Sequence, residues 1–336
     1  MSKNQQWLLA ERPLGRSIQT SDFKFQETEI QSPKQGEVLV KAIYFSFDPA
    51  QRGWMENLGG YAAPTVIGEP MRGSGIGQVI ESAAPGFETG DFVKGMFHWE
   101  THPVIAATEL TKIENDEHIT AHLSVLGITG MTAYFGLLDI GQPKAGDTVV
   151  VSGAAGATGS IVGQIARLSG CRTIGIAGGE KKCQWLIDEL GFAAAIDYKN
   201  SNVKEQLKEH CPESIDVFFD NVGGEILDQA LGEINLNARV VICGGISRYE
   251  AGTLPQGPQN YFNLIFKRAR MEGFLVIDYM SQFPAAQARI KEWIAAGDIA
   301  YKEDVQEGFE NMPTTLMRLF SGQNFGKQLL KVADKE

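Results

Sequence analysis

A short apolar run leads directly into a glycine-rich turn near the middle of the chain. Residues 149–159 read Val-Val-Val-Ser-Gly-Ala-Ala-Gly-Ala-Thr-Gly, and residues 160–168 continue with apolar side chains at helical spacing. A turn between a strand and a helix can bind phosphate, because glycines let the backbone approach the anion and N–H groups face it. The spacing Ala154-x-Gly156-x-x-Gly159 has alanine at the first glycine of the usual dinucleotide fingerprint, so an ordinary tight turn stays open as the alternative.

The next apolar segment, residues 172–177, indicates a second strand and lacks the acid that NAD sites usually carry. It ends in Ala177-Gly178-Gly179 and continues as Glu180-Lys181-Lys182. An acid at this place normally binds the ribose 2′-hydroxyl, whereas small residues leave room for a 2′-phosphate and a lysine supplies its counter-charge. The pattern favours NADP over NAD. The alternative is that Lys181 and Lys182 only form a solvated helix start, although cations there oppose the helix dipole.

Regular alternation of strand and helix patterns predicts a parallel, doubly wound α/β sheet in the second part of the chain. The predicted strands are residues 148–152, 173–177, 195–197, 217–220 and 239–243, with residues 274–277 as the sixth.

The chain before about residue 125 shows short strands separated by Gly, Pro and Asp turns, at residues 37–45, 75–81 and 91–96. This pattern of short strands and tight turns indicates a small β-barrel. We expect a dinucleotide-binding domain over residues 126–299, and a β-rich substrate and catalytic domain over residues 1–125 and 300–336.

Composition excludes several kinds of partner. The net charge of −11 argues against nucleic acid and anionic membrane surfaces. No run of apolar residues is long enough to span a bilayer, and the first residues lack an apolar signal segment. Cys171, Cys183, Cys211 and Cys243 are scattered without a C-x-x-C pair, which is typical of reduced thiols. A cytoplasmic protein is therefore expected.

Further motifs extend over nearly the whole chain. They are Trp-Leu-Leu-Ala-Glu-Arg-Pro-Leu-Gly at residues 7–15, Phe47-Asp48-Pro49-x-x-Arg52, Phe-Asp-Asn-Val-Gly-Gly at residues 219–224, and Gly322-x-Asn324-x-Gly326-Lys327. With these motifs the chain resembles the zinc-independent medium-chain dehydrogenase/reductases, in the branch of leukotriene B4 dehydrogenase/prostaglandin reductase and curcumin reductase-like proteins. The resemblance implies a Rossmann sheet plus a GroES-like β-barrel-type domain, NADP(H) as cofactor, and a homodimer formed through sheet edges of the nucleotide domain.

The resemblance also implies a role for particular residues in binding the cofactor. Glycines and backbone amides shape the pyrophosphate turn, a lysine and a tyrosine hold the 2′-phosphate end, and the loops after later strands line the crevice. The residues are Gly156, Ala157, Thr158, Gly159, Lys182, Tyr198, Asn221, Cys243, Gly244, Ile246, Ser247, Tyr249, Phe274, Val276 and Asn324. Simpler explanations exist for three of them: Tyr198 as a surface aromatic residue, and Asn221 and Asn324 as turn residues.

Zinc alcohol dehydrogenases need cysteine and histidine ligands in the barrel domain, but here no cysteine precedes Cys171. The pairs His98/His102 and His118/His122 have the spacing of a helical pair without an accompanying cysteine. Because a zinc site needs three or four convergent ligands, no metal is expected.

Reduction of the C=C bond of an α,β-unsaturated aldehyde or ketone fits these features. The charge that develops on the carbonyl oxygen can be stabilised by hydrogen-bond donors, without a Lewis acid. The alternatives are an NADPH quinone reductase and a catalytically silent dinucleotide-binding protein.

The sequence leaves open which residue acts as the proton donor. Some relatives carry a tyrosine at the place of Phe266, which cannot donate a hydrogen bond. Tyr249, Tyr61 and Tyr279 are the remaining candidates, with Tyr249 ranked first. Tyr61-Ala62-Ala63-Pro64, with Trp54 and Met55 before it and Tyr261-Phe262 and Tyr279-Met280 later, suggests an apolar cleft for a small hydrophobic enal or enone. Packing in the core is the alternative for such aromatic and methionine residues.

Overall fold

A computed structural model describes residues 3–57, 62–249 and 256–335. The chain divides into two compact units, Met1–Leu123 with Glu303–Glu336, and Ser124–Lys302. Among the described residues, none of the helices combines the length and the apolar character that crossing a bilayer requires.

The strands, in chain order, are β1 (Asn4–Leu9), β2 (Phe23–Thr28), β3 (Glu37–Ser46), β4 (Arg72–Ser82), β5 (Phe92–His98), β6 (Val104–Ala106), β7 (Leu110–Ile113), β8 (Thr148–Ser152), β9 (Arg172–Ala177), β10 (Ala194–Asp197), β11 (Ile215–Asp220), β12 (Ile234–Ile242), β13 (Arg270–Gly273), β14 (Glu303–Glu307) and β15 (Lys327–Lys331). The α-helices are α1 (Ala50–Glu56), α2 (Ile128–Phe135), α3 (Gly159–Leu168), α4 (Glu180–Asp188), α5 (Val203–His210), α6 (Gly224–Gly232), α7 (Asn263–Phe266), α8 (Phe283–Ala295) and α9 (Met312–Phe320). A π-helix, Gly136–Gly141, follows α2.

Six parallel strands form the sheet of the second unit, in the order β10-β9-β8-β11-β12-β13. The chain starts at β8 in the middle, moves outward through β9 to β10, and then returns to β11 on the other side. All five residues of β8 are buried, as expected for a central parallel strand with both faces covered. The order confirms the predicted doubly wound sheet and puts its switch point between β8 and β11, where such sheets bind ligands.

The prediction of the sixth strand is wrong in its position. The structure pairs Arg270–Gly273 with β12, whereas the predicted residues 274–277 follow the strand, and Val276 opens a 3-10 helix, Val276–Gln282. The four residues of β13, Arg-Met-Glu-Gly, are all exposed and include one large apolar side chain, Met271, so the strand lacks the apolar run typical of a buried strand. Backbone pairing with β12 defines this edge strand. Of the apolar residues after it, Phe274 packs against Gly136, whereas Leu275 and Ile277 are exposed.

The strands of the first unit pair antiparallel, except for β14 and β15, which are parallel to each other. A seven-stranded sheet has the order β14-β15-β3-β4-β5-β7, with β6 also paired to β3, and β1 pairs with β2. The predicted strands at residues 37–45, 75–81 and 91–96 correspond to β3, β4 and β5. The last strand returns to this unit, because Leu329 of β15 lies opposite Ser46 of β3.

Asp48 and Arg52, two charged residues of a motif noted above, are anchored separately. Arg52 is fully buried, donates to the carbonyl oxygens of Pro13 and Arg16 at 2.6 Å each, and pairs with Glu56 at 2.7 Å. The carboxylate of Asp48 instead pairs with the Lys327 ammonium. These contacts tie α1 to the chain before it and to β15.

Candidate functional site

The glycine turn, residues 153–158, joins β8 to α3 at the carboxyl edge of the parallel sheet. The Gly156 N–H donates to the Gly153 carbonyl at 3.0 Å. A Cβ on Gly159 would lie 2.4 Å from the Gly153 oxygen and 2.9 Å from the Ala154 Cα, so only glycine fits there. The start of α3 is thereby held against the end of β8. Its positive dipole end lies at the sheet edge where an anion can bind.

A second turn, after β9, lies beside Tyr198 at the end of β10. A Cβ on Gly178 would lie 2.8 Å from Cε1 and 2.9 Å from both Cζ and the hydroxyl oxygen of Tyr198, so this side chain rests directly over the glycine. Tyr198 is still 45% exposed. Its N–H donates to the Ala177 carbonyl at 3.1 Å. The ring therefore packs on the turn and keeps an open face.

Lys182 lies in the first turn of α4, immediately after these glycines. Its N–H donates to the Gly179 carbonyl at 3.1 Å, and its side chain is half-buried, whereas Lys181 is exposed. The small residues of the turn, the tyrosine ring and the lysine therefore lie at the ends of two neighbouring strands, β9 and β10. In doubly wound sheets that bind dinucleotides, the corresponding strand ends face the adenosine ribose.

A buried carboxyl group joins β8 to β11 at the switch point. Ser152 Oγ donates to Asp220 Oδ1 at 2.7 Å and accepts the Asn221 N–H at 2.8 Å. The N–H groups of Val222 and Gly223 donate to Asp220 at 3.1 and 3.0 Å. Desolvation raises the pKa of Asp220 above its ordinary value, although these hydrogen bonds favour the ionised form.

The Asn221 side chain is oriented by the same arrangement. Its Nδ2 donates to the Ser152 carbonyl at 2.7 Å, across the junction of β8 and β11. Sequence reasoning identified Asn221 but missed Ser152 and Asp220. The available signal was an acid directly after the apolar run of residues 217–219, since a buried acid needs partners.

The loop after β12 folds onto this turn. The N–H groups of Cys243 and Gly244 donate to the Asp220 carbonyl at 2.9 and 3.1 Å. Ser247 Oγ donates to the Val222 carbonyl at 2.6 Å. Ile246 lies between Gly244 and Ser247 in this loop. Burial raises the pKa of the Cys243 thiol to about 12, so the thiol is neutral near pH 7.

Phe274 and Val276 lie just beyond the end of β13. A Cβ on Gly136 of the π-helix would lie 2.4 Å from the Phe274 ring, which shows how closely the ring packs there. π-Helical turns are rare and occur frequently at functional sites. Val276 begins the 3-10 helix that also contains Tyr279.

The three candidate proton donors are placed very differently. Tyr279 donates its hydroxyl to Asp139 Oδ2 at 2.5 Å and stacks on Phe135 at 4.5 Å between ring centroids. The hydrogen bond to Asp139 raises the pKa of Tyr279 to about 12. Tyr249 is half-buried at the end of the loop after β12. Tyr61 lies outside the described residues.

Two further residues from the sequence analysis lie in the first unit. Asn324 Nδ2 donates to the Gly326 carbonyl at 3.0 Å, in the loop between α9 and β15. Met55, one of the residues that suggested an apolar cleft, is fully buried in the core of this unit. Its position on the inner face of α1 fits the core alternative, because apolar residues of a short amphipathic helix face the core.

The histidine pairs do not form metal sites with other donors. His98 Nδ1 lies 3.4 Å from Glu100 Oε1, and His102 Nδ1 lies 3.1 Å from Thr101 Oγ1. Within residues 3–57, 62–249 and 256–335, no three His, Cys, Asp or Glu side chains converge where they could hold a metal ion. The donor set of this part of the chain does not fit zinc.

Comparisons with known proteins place this geometry in a family. Residues 5–113 match the family described as the N-terminal domain of oxidoreductase, and residues 157–292 match the family described as zinc-binding dehydrogenase. The 2-alkenal reductase (NADP(+)-dependent) of Nicotiana tabacum is 42% identical over 301 residues, 88% of each chain. The NADPH-dependent curcumin reductase of Escherichia coli (strain K12) is 38% identical over 337 residues, 98% of this chain and 97% of the relative.

A solved structure gives the same result. The crystal structure of CurA in complex with NADPH from Vibrio vulnificus is 41% identical, with a TM-score of 0.93, and the match covers 98% of this chain and 99% of CurA. The chain belongs to the medium-chain dehydrogenase/reductase family, in the branch of the curcumin, alkenal and prostaglandin reductases.

Proposed function

We propose that this protein is an NADPH-dependent reductase of the C=C bond of α,β-unsaturated aldehydes and ketones. One observation carries the proposal: the same edge of the parallel sheet brings together the glycine turn after β8, Lys182 and Tyr198 at the ends of β9 and β10, and the turn at Asn221 after β11. The activities for which the alkenal and curcumin reductase relatives are named support the substrate class.

The cofactor is assigned to the carboxyl edge of the parallel sheet. The turn before α3 would hold the pyrophosphate, β9 and β10 the phosphorylated ribose, and the turns after β11, β12 and β13 the nicotinamide half. The residues proposed to bind it are Gly156, Ala157, Thr158, Gly159, Lys182, Tyr198, Asn221, Cys243, Gly244, Ile246, Ser247, Tyr249, Phe274, Val276 and Asn324. We assign the dinucleotide-binding domain to residues 126–299, and the β-rich substrate and catalytic domain to residues 1–125 and 300–336.

When bound, NADPH supplies the hydride that adds to the β-carbon of the substrate. The chain has to orient the substrate and stabilise the negative charge that develops on its carbonyl oxygen. Tyr249 is the first candidate for the hydrogen-bond donor to that oxygen, with Tyr61 as the second. Tyr279 ranks last, because its proton already points to the Asp139 carboxylate.

A substrate panel tests the proposed reaction. With 2-alkenals and curcumin-like enones, the purified protein should oxidise NADPH, followed by the nicotinamide absorbance, and a chelator should leave the rate unchanged. Turnover confined to quinones would instead establish a quinone reductase. Tight NADPH binding without turnover on any of these compounds would establish a silent dinucleotide-binding protein.

Replacement of Lys182 tests the assignment of the 2′-phosphate. Lys182→Ala should raise the NADPH dissociation constant about tenfold or more while NADH binding changes little, because a charged contact of roughly 1.5–3 kcal/mol is lost. Fluorescence titration measures both constants. The neighbouring exposed lysine gives a matched control, since Lys181→Ala should leave both unchanged. An unaltered NADPH constant in Lys182→Ala would show that the assignment is wrong.

Tyr249→Phe tests whether the Tyr249 hydroxyl is the hydrogen-bond donor to the carbonyl oxygen of the substrate. The variant keeps the aromatic ring assigned to the cofactor site and should therefore bind NADPH normally. It should turn over about tenfold or more slowly, because one hydrogen-bond donor to the developing oxyanion is removed. Steady-state kinetics separate kcat from KM. Tyr279→Phe is the matched control and should lower kcat less. Full turnover by Tyr249→Phe would transfer the role to Tyr61, with Tyr61→Phe as the next variant.

We also propose a homodimer formed through the β13 edge. Among the described strands, β13 pairs only with β12, so its other edge is open to a second copy. Large apolar side chains around it are more than one-third exposed, which is typical of an interface. They are Tyr261, Phe262, Ile265, Phe266, Met271, Leu275, Ile277 and Met280.

A charge placed on β13 tests this interface. Met271→Asp should convert a dimer of the 36.7 kDa chain into monomers, measured by light scattering after size exclusion. Met96→Asp is the matched control, because Met96 and Met271 are both 40% exposed but lie in different units. It should remain dimeric. A wild-type protein that is monomeric at micromolar concentration would exclude the proposed dimer.

A cytoplasmic location is part of the proposal. All four cysteines are free thiols, and Cys183 and Cys211 are buried. Unpaired cysteines are typical of proteins in a reducing compartment.

A further inference from the structure

A carboxylate at the end of β10 joins two turns of the proposed cofactor site. Asp197 Oδ1 accepts the Gly179 N–H at 2.8 Å and the Lys199 N–H at 3.0 Å. Gly179 immediately precedes α4, whereas Lys199 begins the turn that leads toward α5. One carboxylate oxygen therefore links the β9–α4 turn to the β10–α5 turn, beside the hydrogen bond from the Tyr198 N–H to the Ala177 carbonyl.

These two turns carry the two side chains assigned to the 2′-phosphate. Lys182 lies three residues after Gly179, in the first turn of α4. Tyr198 lies directly between Asp197 and Lys199, with its ring on Gly178. A movement of either turn would change the distance between the lysine ammonium and the tyrosine ring. The carboxylate is thus in a position to set the width of the phosphate pocket.

The second oxygen of the carboxylate is also occupied. Asn200 Nδ2 donates to Asp197 Oδ2 at 2.7 Å. Burial opposes ionisation, but the hydrogen bonds from Gly179, Asn200 and Lys199 outweigh it and lower the pKa of Asp197 below its usual range. The group is therefore ionised near pH 7 and its charge is shared with N–H donors, which reduces its repulsion of a nearby phosphate.

The position of the acid within the sheet is informative. In NAD sites an acid at the end of the second strand accepts the ribose 2′-hydroxyl. Here that strand end is Ala177, and the acid is on the neighbouring strand at the same level, because Asp197 lies opposite Ala177 in the parallel register. Its oxygens are directed to backbone and side-chain amides of the chain.

We propose that Asp197 is a specificity-determining positioning residue, which fixes the two turns so that Lys182 and Tyr198 accept a 2′-phosphate. The inference rests on the proposed function, since it assumes that this edge binds NADPH. Asp197 touches the turns and acts on the cofactor only through them. Its loss should therefore affect ligands that carry the 2′-phosphate, and leave those without it largely unaffected.

Paired ligands separate this role from a general structural one. Dissociation constants are measured for NADPH against NADH, and for 2′,5′-ADP against 5′-ADP, by fluorescence titration and calorimetry. Asp197→Ala should weaken NADPH and 2′,5′-ADP about tenfold, the effect of roughly one charged contact, and change NADH and 5′-ADP by less than about twofold. Asp197→Glu keeps the charge but displaces the oxygens by one methylene, so it should lower the same preference.

Two conservative variants serve as controls. Asp197→Asn keeps an acceptor for both N–H groups and should retain most of the NADPH preference. Ser201→Ala removes a hydroxyl that donates to the Asp197 carbonyl at 2.7 Å but leaves the carboxylate intact, and should behave as wild type.

The outcomes are distinguishable. Equal losses for ligands with and without the 2′-phosphate, or an unchanged preference in both Asp197→Ala and Asp197→Glu, would overturn the inference. A wild-type protein that binds neither NADPH nor 2′,5′-ADP would overturn the proposed function itself.

Discussion

The buried hydrogen bond between Ser152 and Asp220 is the interaction on which the rest of the proposed crevice depends. It joins the ends of β8 and β11 at the point where the strand order changes side, with an Oγ to Oδ1 distance of 2.7 Å. The side chain of Asp220 orders the turn that follows β11, and its carbonyl receives the loop that follows β12. One residue therefore holds three segments whose positions define the floor of the crevice. In a low-dielectric interior such a network stabilises one arrangement only when its groups are satisfied.

Local patterns predicted much of the fold, because they are consequences of burial and backbone geometry. The strand at residues 148–152 follows from its uninterrupted apolar run, and the turn after it from glycines that tolerate close approach. The edge strand β13 lacks such a pattern, since all its residues are exposed, so its position was misjudged. An edge strand is defined by its pairing with a neighbouring strand, and the few residues of the edge strand do not show which strand that is.

The residues of the candidate site were likewise predicted only in part. Lys182, Tyr198 and Asn221 were identified from motifs that are continuous in the chain. Ser152 and Asp220 were missed because their hydrogen bond spans 68 residues and forms only after the sheet has brought β8 beside β11. The hydroxyl of Tyr279 is a further case: its bond to Asp139 joins residues 140 positions apart and lowers its rank as a donor. Long-range pairing determines which polar groups remain available for a ligand.

Two carboxylates at the ligand edge of the sheet face a difficulty, because the proposed cofactor is itself a polyanion. Asp197 and Asp220 both accept hydrogen bonds from N–H groups of the turns around them, which offset part of their negative charge. The balance between burial and hydrogen bonding differs for the two acids. At Asp197 the hydrogen bonds outweigh burial and lower the pKa, whereas at Asp220 desolvation dominates and raises it. The more exposed acid thus carries its charge next to the proposed phosphate, where the lysine lies nearby, whereas the deeper acid is held away from water, which raises its pKa, and is satisfied by the hydroxyl and N–H donors around it. Backbone turns that bind phosphate can in this way be held in place by acids without strong repulsion of the ligand.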